Sequence, residues 1–488
     1  MTAPVAGGRR ISALLAGALL VAVVAFVAPA SAAPANPDTD PFYTYSGPKP
    51  LAAIAAGTVL KQRAVNVSLG TTMSTPIQAE QLLYRTSGEL GEPTVTVTTV
   101  IRPATGTVLP QIIDYLSFYD ALGAQCDPSY TLTGGDPGAP NRQQAEEEEA
   151  LIAAHLASGS IITVPDFEGE HLEWTAGHEA GYDSLDAVRA TESYLGLAKT
   201  TKVGLSGYSG GSIAADWASE LAPSYSPELN IVGVAEGGIP VDFAHNLNYI
   251  NGSQGWSGVI PAALVALARA YKLDLPPYLS AYGMKLTNQV QHACIGSFNG
   301  AYPGLTIQKL LKPQYQDIYK DADLVRVMNA LIMGSAPGHP KGPLFMGVGD
   351  MDGTGDGIMV AKDVEALAHE YCQQGVPVQF KVYNGDSHTQ AAEKFEPAAV
   401  AFLAERFAGT PFSSNCASVG AGNSLAPLQM PSGSATSPGD SGHSAGNASN
   451  AHGSLATTGI SAALPLAGIA VLLVALLATE ALRRQQRH

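Results

Sequence analysis

Positive charge is what this chain has least of. Its 26 Lys and Arg stand against 42 Asp and Glu, giving a net charge of −16 over 488 residues. That balance leaves no basic stripe of the kind nucleic acid requires, and the acidity reads as surface solubility, not as a site. Cysteine is scarce too. Cys126, Cys294, Cys372 and Cys416 never fall in a Cys-x-x-Cys spacing, which excludes the common zinc and dithiol redox motifs. His-Glu-x-x-His is also missing, so the zinc hydrolases that carry it are excluded. Asp350-x-Asp352 with Gly355 opens like a calcium loop, but Thr354 and Ala361 stand where further oxygen ligands are needed. The expectation is an enzyme or surface protein with no metal, no cofactor and no nucleic-acid partner. Oligomeric state has no signature in the sequence.

Both ends of the chain carry address information. Arg9 and Arg10 precede an apolar run from Ile11 to Val27, and Ala30-Ser31-Ala32 supplies small residues for cleavage, so residues 1–33 read as a secretory signal peptide. Export makes disulfides available, and four cysteines predict two of them, with three pairings open. From about Pro411, Ser, Gly, Ala, Asn and Pro replace apolar periodicity, which predicts a flexible stalk over 413–454. After it come Leu455-Ala456-Thr457-Thr458-Gly459, an apolar run from Ile460 to Leu477, and a tail with Arg483, Arg484 and Arg487. The plain reading of 455–488 is one transmembrane helix with its basic end in the cytoplasm. The pentapeptide resembles the Leu-Ala-x-Thr-Gly variant of the signals that sortases cut. That resemblance implies cleavage between Thr458 and Gly459, with a sortase and cell-wall peptidoglycan as partners.

Residues 34–412 are long enough for one large enzyme domain. Strand-like runs at Thr94–Ile101, Gln111–Phe118, Ser160–Pro165, Thr201–Ser206, Ile231–Ala235, Leu344–Val348 and Val378–Tyr383 alternate with helical patterns. Such a rhythm predicts a mostly parallel sheet covered on both faces. Helices are expected at Gln143–Ala157, Asp183–Leu195, Val360–Gln373 and Thr389–Phe407, the first with four glutamates complementing its dipole. Residues 240–343 interrupt the rhythm with helical stretches and read as an inserted cap.

Within this frame Gly207-Tyr208-Ser209-Gly210-Gly211 lies between a strand and the Ala-rich helical stretch Ser212–Leu221. A Gly-x-Ser-x-Gly turn in that context is a nucleophile elbow, with the serine strained and exposed above the sheet. A serine nucleophile needs a base and an acid from later loops. His388 follows the strand Val378–Tyr383, whereas His369 falls mid-helix and His443, His452 and His488 fall in tails. The acid comes from the loop after Leu344–Val348, where residues alone leave Asp350, Asp352 and Asp356 open.

Four segments together resemble the secretory lipases of fungi and actinobacteria, yeast lipase A among them. They are the elbow running on to Glu220-Leu221-Ala222-Pro223, Val234-Ala235-Glu236-Gly237-Gly238, Val164-Pro165-Asp166-Phe167-Glu168-Gly169, and Cys126-Asp127-Pro128-Ser129-Tyr130. The resemblance covers about 40–416. It implies an α/β-hydrolase fold with a mainly helical cap, and it selects Asp356 as the acid, with Asp352 in reserve. It also implies an oxyanion hole from the amides of Asp120 and Gly210, and disulfides Cys126–Cys294 and Cys372–Cys416. Fungal relatives carry a C-terminal flap over the pocket, whereas here a stalk is expected soon after Cys416.

The function expected is a surface-anchored lipase or carboxylesterase working through Ser209, His388 and Asp356 on acylglycerols or related esters. Its rivals are an acyltransferase with an alcohol acceptor and a non-catalytic adhesin on a hydrolase scaffold. An adhesin predicts an eroded triad. The apolar cap stretches 259–267 and 330–333 are candidates either for lining an acyl tunnel or for packing the cap.

Overall fold

Strand β5 (Ile161–Pro165) is buried at every position, as expected of a strand covered on both faces. The computed structural model describes residues 34–67, 77–135 and 140–431. The signal peptide 1–33 and everything from 432, including Leu455–Gly459 and the apolar run to Leu477, lie outside the described residues. The other strands are β1 (Val59–Val65), β2 (Ile77–Ser87), β3 (Pro93–Pro103), β4 (Gln111–Leu116), β6 (Lys202–Tyr208), β7 (Asn230–Gly237), β8 (Leu344–Asp350) and β9 (Val378–Asn384). They form one sheet in the order β1-β2-β3-β5-β4-β6-β7-β8-β9. Pairs from β5 to β9 are parallel, and those linking β1, β2, β3 and β5 are antiparallel. β1 and β2 escaped the sequence pattern. Lys61, Gln62 and Arg63 interrupt the apolar alternation in β1, and β2 opens with Gln78-Ala79-Glu80-Gln81.

Among the described residues the helices are α1 (Pro128–Thr131), α2 (Pro140–Leu156), α3 (Gly177–Leu195), α4 (Gly210–Tyr225), α5 (Phe243–Ile250), α6 (Val259–Ala270), α7 (Ala281–Val290), α8 (Ile295–Phe298), α9 (Ile307–Leu310), α10 (Ala322–Ala330), α11 (Ala361–Gln373) and α12 (His388–Ala408). Leu185 of α3, Trp217 of α4 and Leu367 of α11 share one core with the sheet. Ile152 of α2 with Phe395 and Phe402 of α12 fills the opposite face. Between β7 and β8 the chain makes only helices and short turns, and these bury a core of their own around Ile260, Leu286, Phe298 and Leu310. Within it Val259, Ile260 and Ala263 of α6 reach the site cavity. The stretch 330–333 does not, because Ile332 and Met333 pack into the hydrolase core.

Cys126 bonds Cys294, and Cys372 bonds Cys416. Closing loops of this length contributes roughly 3–5 kcal/mol each. The stalk boundary moves, however. Residues 413–431, assigned to the stalk by composition, lie along the domain in an extended path. Asn415 pairs its amide with the backbone of Phe380, covering the free edge of β9. Val419 and Leu425 are buried in the hydrolase core, and Asn423 bonds Lys362 O and Asp363. Leu428 exchanges two hydrogen bonds with the Asn329 side chain on α10. Two apolar residues and two asparagines seat what composition alone marks as a linker.

The core holds many carboxyl groups. Both oxygens of Asp114 and of Glu236 are buried without a hydrogen-bond partner among the described residues. Loss of hydration drives such groups toward the neutral form. Burial pushes Glu148 up to about 8, helped by Glu396 beside it, and pushes Glu396 itself up to about 8. A carboxyl with a raised folded pKa adds stability that is complete below its unfolded value and is lost as pH rises through the folded one. His245, raised chiefly by Asp363, acts in the same direction. Buried His155, pushed down to about 4, opposes this only below its unfolded value of roughly 6.5. Thermal denaturation should therefore give a melting temperature that falls between about pH 6.5 and 8. A melting temperature flat or rising across that window would contradict neutral burial of these acids.

Candidate active site

Ser209 ends the β6 turn at φ 53 and ψ −121, a conformation L-residues rarely adopt. The glycines around it are required by space. A Cβ on Gly207 would lie 2.1 Å from Gly211 O, one on Gly211 2.0 Å from Leu116 O, and one on Gly210 1.7 Å from the Asp120 carboxyl. Backbone is the obstacle at Gly207 and Gly211, so the chain can turn from strand to helix only with hydrogen at these two positions, whereas at Gly210 the neighbour is the end of the Asp120 side chain.

His388 is placed by the start of α12. Ser387 caps that helix and Gln390 closes the capping box, which fixes His388 as its first residue. Its Nε2 lies 2.8 Å from Ser209 Oγ, and its Nδ1 lies 2.7 Å from Asp356 Oδ2. The tautomer with its proton on Nδ1 donates to Asp356 and turns the Nε2 lone pair toward the serine. Asp356 Oδ1 accepts the amides of Ile358 and Met359, and Asp356 O accepts the His388 amide. Asp352, the reserve acid, bonds Tyr249 instead, and the Asp350 carboxylate accepts the Gly353 amide of its own loop. Tyr208 donates to His388 O, and Trp256 meets the imidazole edge-on at 5.5 Å. Gly238, at φ +59, leaves room for the ring, since a Cβ there would lie 2.7 Å from His388 Cε1.

Asp120 stands beside Gly210 with φ 39, a second non-glycine residue held at positive φ near the serine. Trp174 Nε1 donates to its Oδ1 at 2.9 Å. Burial pushes the Asp120 carboxyl up to about 7, against the opposing pull of the Trp174 bond and His388. The backbone around it is strung between two buried glutamates. Glu148 accepts Phe118 N at 3.0 Å and Ser117 Oγ at 2.8 Å, while Glu168 accepts Ala121 N at 2.9 Å. Gln144 adds a bond to Phe118 O. Sequence reasoning missed these supports. By sequence Glu148 is one of four dipole-complementing glutamates, yet it is buried whereas Glu146 and Glu147 are exposed. Its spacing to Leu151 and Ile152, on the same inward side, was the available signal.

Above the serine is an apolar cavity of ≈ 80 Å³ lined by Trp174, Ile213, Phe243, Trp256, Ile260 and Ile358, among others. A serine–imidazole–carboxylate relay opening on an apolar cavity, beside two backbone segments able to present amides to an anion, is suited to acyl transfer.

Sheet, elbow and inserted helices define an α/β-hydrolase. A family model described as secretory lipase matches residues 141–415. Lipase A of Arthroderma benhamiae is 32% identical over 409 residues, covering 81% of this chain and 85% of that protein. A probable inactive lipase of Mycobacterium tuberculosis is 32% identical over 391 residues, covering 78% and 84%. Among solved structures, Candida antarctica lipase A matches at a TM-score of 0.73 and 29% identity, covering 79% of this chain and 89% of that one. The chain belongs to the secretory lipase family, and it is a hydrolase of the lipase class.

The geometry separates the three candidate acids. Asp356→Asn should lower turnover on a soluble ester by about 10⁴, as wrong-tautomer substitutions do. Asp350→Asn should stay within a few-fold of the parent. Steady-state kinetics on both variants decide it, and the opposite ranking would remove Asp356 from the relay.

Proposed function

We propose that this protein is a secreted lipase or carboxylesterase that hydrolyses acylglycerols or related carboxylic esters through an acyl-enzyme. The observation that carries the proposal is the continuous line Ser209–His388–Asp356 at 2.8 and 2.7 Å, opening on an apolar cavity. Ser209 Oγ attacks the ester carbonyl while His388 Nε2 takes its proton. The oxyanion that forms is held by the amides of Gly210 and Asp120. His388 then gives the proton to the leaving alkoxide, and a water repeats the sequence in reverse to free the acid. Asp356 orients the imidazole and stabilises its charged form. The acyl chain occupies the cavity between Trp174 and the α6 residues Val259, Ile260 and Ala263. Relatives from Malassezia globosa and Malassezia restricta are named secreted triacylglycerol lipases, which supports both the substrate class and export.

Ser209→Ala should leave the melting temperature within a few degrees and lower hydrolysis of p-nitrophenyl esters by a factor on the order of 10⁶. Retention of a tenth of the activity would sink the assignment. The same esters, taken from short to long chains, report how much of the cavity an acyl group uses.

We further propose attachment to the cell wall through Leu455–Gly459. Among the described residues no helix is long and apolar enough to cross a membrane, and the run Ile460–Leu477 lies beyond them. Cleavage after Thr458 discards that run. Muralytic digestion should then release the protein where detergent does not, with a C-terminal peptide ending at Thr458. An extracellular form that retains Arg487-His488 would count against wall attachment.

A further inference from the structure

The acid of the relay sits on a glycine-rich loop. Between the end of β8 and the start of α11 the chain has Gly353, Gly355 and Gly357, the first and last at φ +84 and +107. Glycine-rich backbone has many conformations to lose on ordering. The bonds from Ile358 and Met359 to Asp356 Oδ1 fix the carboxyl relative to its own loop, and they travel with the loop if it moves. Contacts from outside must hold the loop in place. On the core side these are His388 N to Asp356 O and Gly385 N to Asp350 O, at 2.9 and 2.8 Å.

On the other side the hydrogen bonds come from one cap helix. Tyr249 of α5 accepts the Gly357 amide at 3.0 Å and donates to Asp352 Oδ2 at 2.9 Å, bridging the loop on either side of Asp356. One turn earlier Asn246 donates to Ile358 O at 2.7 Å. His245 pairs with Asp363 at 3.1 Å, tying α5 to the first turn of α11. The same short helix presents Phe243, Leu247 and Ile250 to the cavity where the acyl chain is proposed to lie.

We propose that Tyr249 is a positioning residue for the reaction. Its hydroxyl holds the loop that carries Asp356 in register with His388, and so makes alignment of the relay depend on the seating of the cap. The proposal rests on the Ser209–His388–Asp356 reading and assigns Asp352 to loop support. Tyr249 touches no reacting atom. Its effect passes through Asp356, and that route gives it a distinctive signature.

The experiment is steady-state kinetics of the full chain with p-nitrophenyl butyrate across pH. Tyr249→Phe keeps the ring and loses both hydrogen bonds. It should lower kcat by about 10- to 100-fold, the scale of a misplaced catalytic group, with KM within about twofold. The acid limb of kcat/KM should move to lower pH, because an imidazolium with a poorly aligned carboxylate is easier to deprotonate. Adding Tyr249→Phe to Asp356→Asn should then cost nothing more, since the group being positioned is already compromised. Asp352→Ala, which removes one end of the bridge together with the acceptor of the Thr354 and Gly355 amides, should shift kcat in the same direction and provides a second route if Tyr249→Phe folds poorly. An unchanged kcat and acid limb in Tyr249→Phe, or losses that multiply in the double variant, would overturn the proposal. Failure of the underlying relay looks different, because Asp356→Asn would then itself retain parental activity.

Discussion

Backbone meets backbone at the centre of this site, and the rest of the arrangement depends on that approach. Gly207 and Gly211 leave α4 close enough to the ends of β4 and β6 that an added Cβ would lie about 2 Å from a carbonyl carbon or oxygen. This proximity, with the bond from Ser209 N to Gly237 O, holds Ser209 in its strained conformation. A serine in a relaxed turn would aim its hydroxyl elsewhere, and the strain is sustained by a sheet and helix already fixed by burial on both sides. The loop at Asp120 lies against the same turn, with its carboxyl in the space that a side chain at position 210 would enter.

Around the elbow, the fold uses carboxyl groups as acceptors for buried backbone and hydroxyl donors. Glu148 and Glu168 gather amides of the segment 117–121, and Asp166 accepts both Ser129 N and Ser129 Oγ in the strand-end turn beneath it. Each acid substitutes for a run of regular secondary structure, satisfying buried donors that no neighbouring strand reaches. Raised pKa values follow from the same burial, so the support of segment 117–121 and the acid preference of the fold have one cause.

Much of this was legible in the residues. All seven strands expected from apolar runs exist, and elbow and histidine were fixed by local signals that do not depend on the rest of the fold: glycines at set positions, and a helix cap at Ser387. The choice among Asp350, Asp352 and Asp356 was not legible, because three acids within seven residues share one loop and differ only in what lies across from them. Family resemblance chose Asp356, and its separation of 2.7 Å from His388 agrees. The roles of Tyr249, Asn246 and Trp174 had no local signature, since each acts across a long sequence separation from an insertion or a distant turn. Composition misjudged 413–431 for a related reason. Small polar residues say nothing about whether a segment has a groove to lie in, and four residues, Asn415, Val419, Asn423 and Leu425, were enough to seat this one.

The course of that segment also determines how the domain would carry load. A pull applied beyond residue 431 meets the paired Asn329–Leu428 bonds first, then the buried Leu425, and then Cys416, where the covalent bond to Cys372 transfers force into α11. Helix α12, with His388 at its head, lies upstream of that crosslink and is bypassed. If the chain is held from beyond residue 431, as proposed, a sacrificial clasp and a sulfur bridge take the load before it reaches the imidazole.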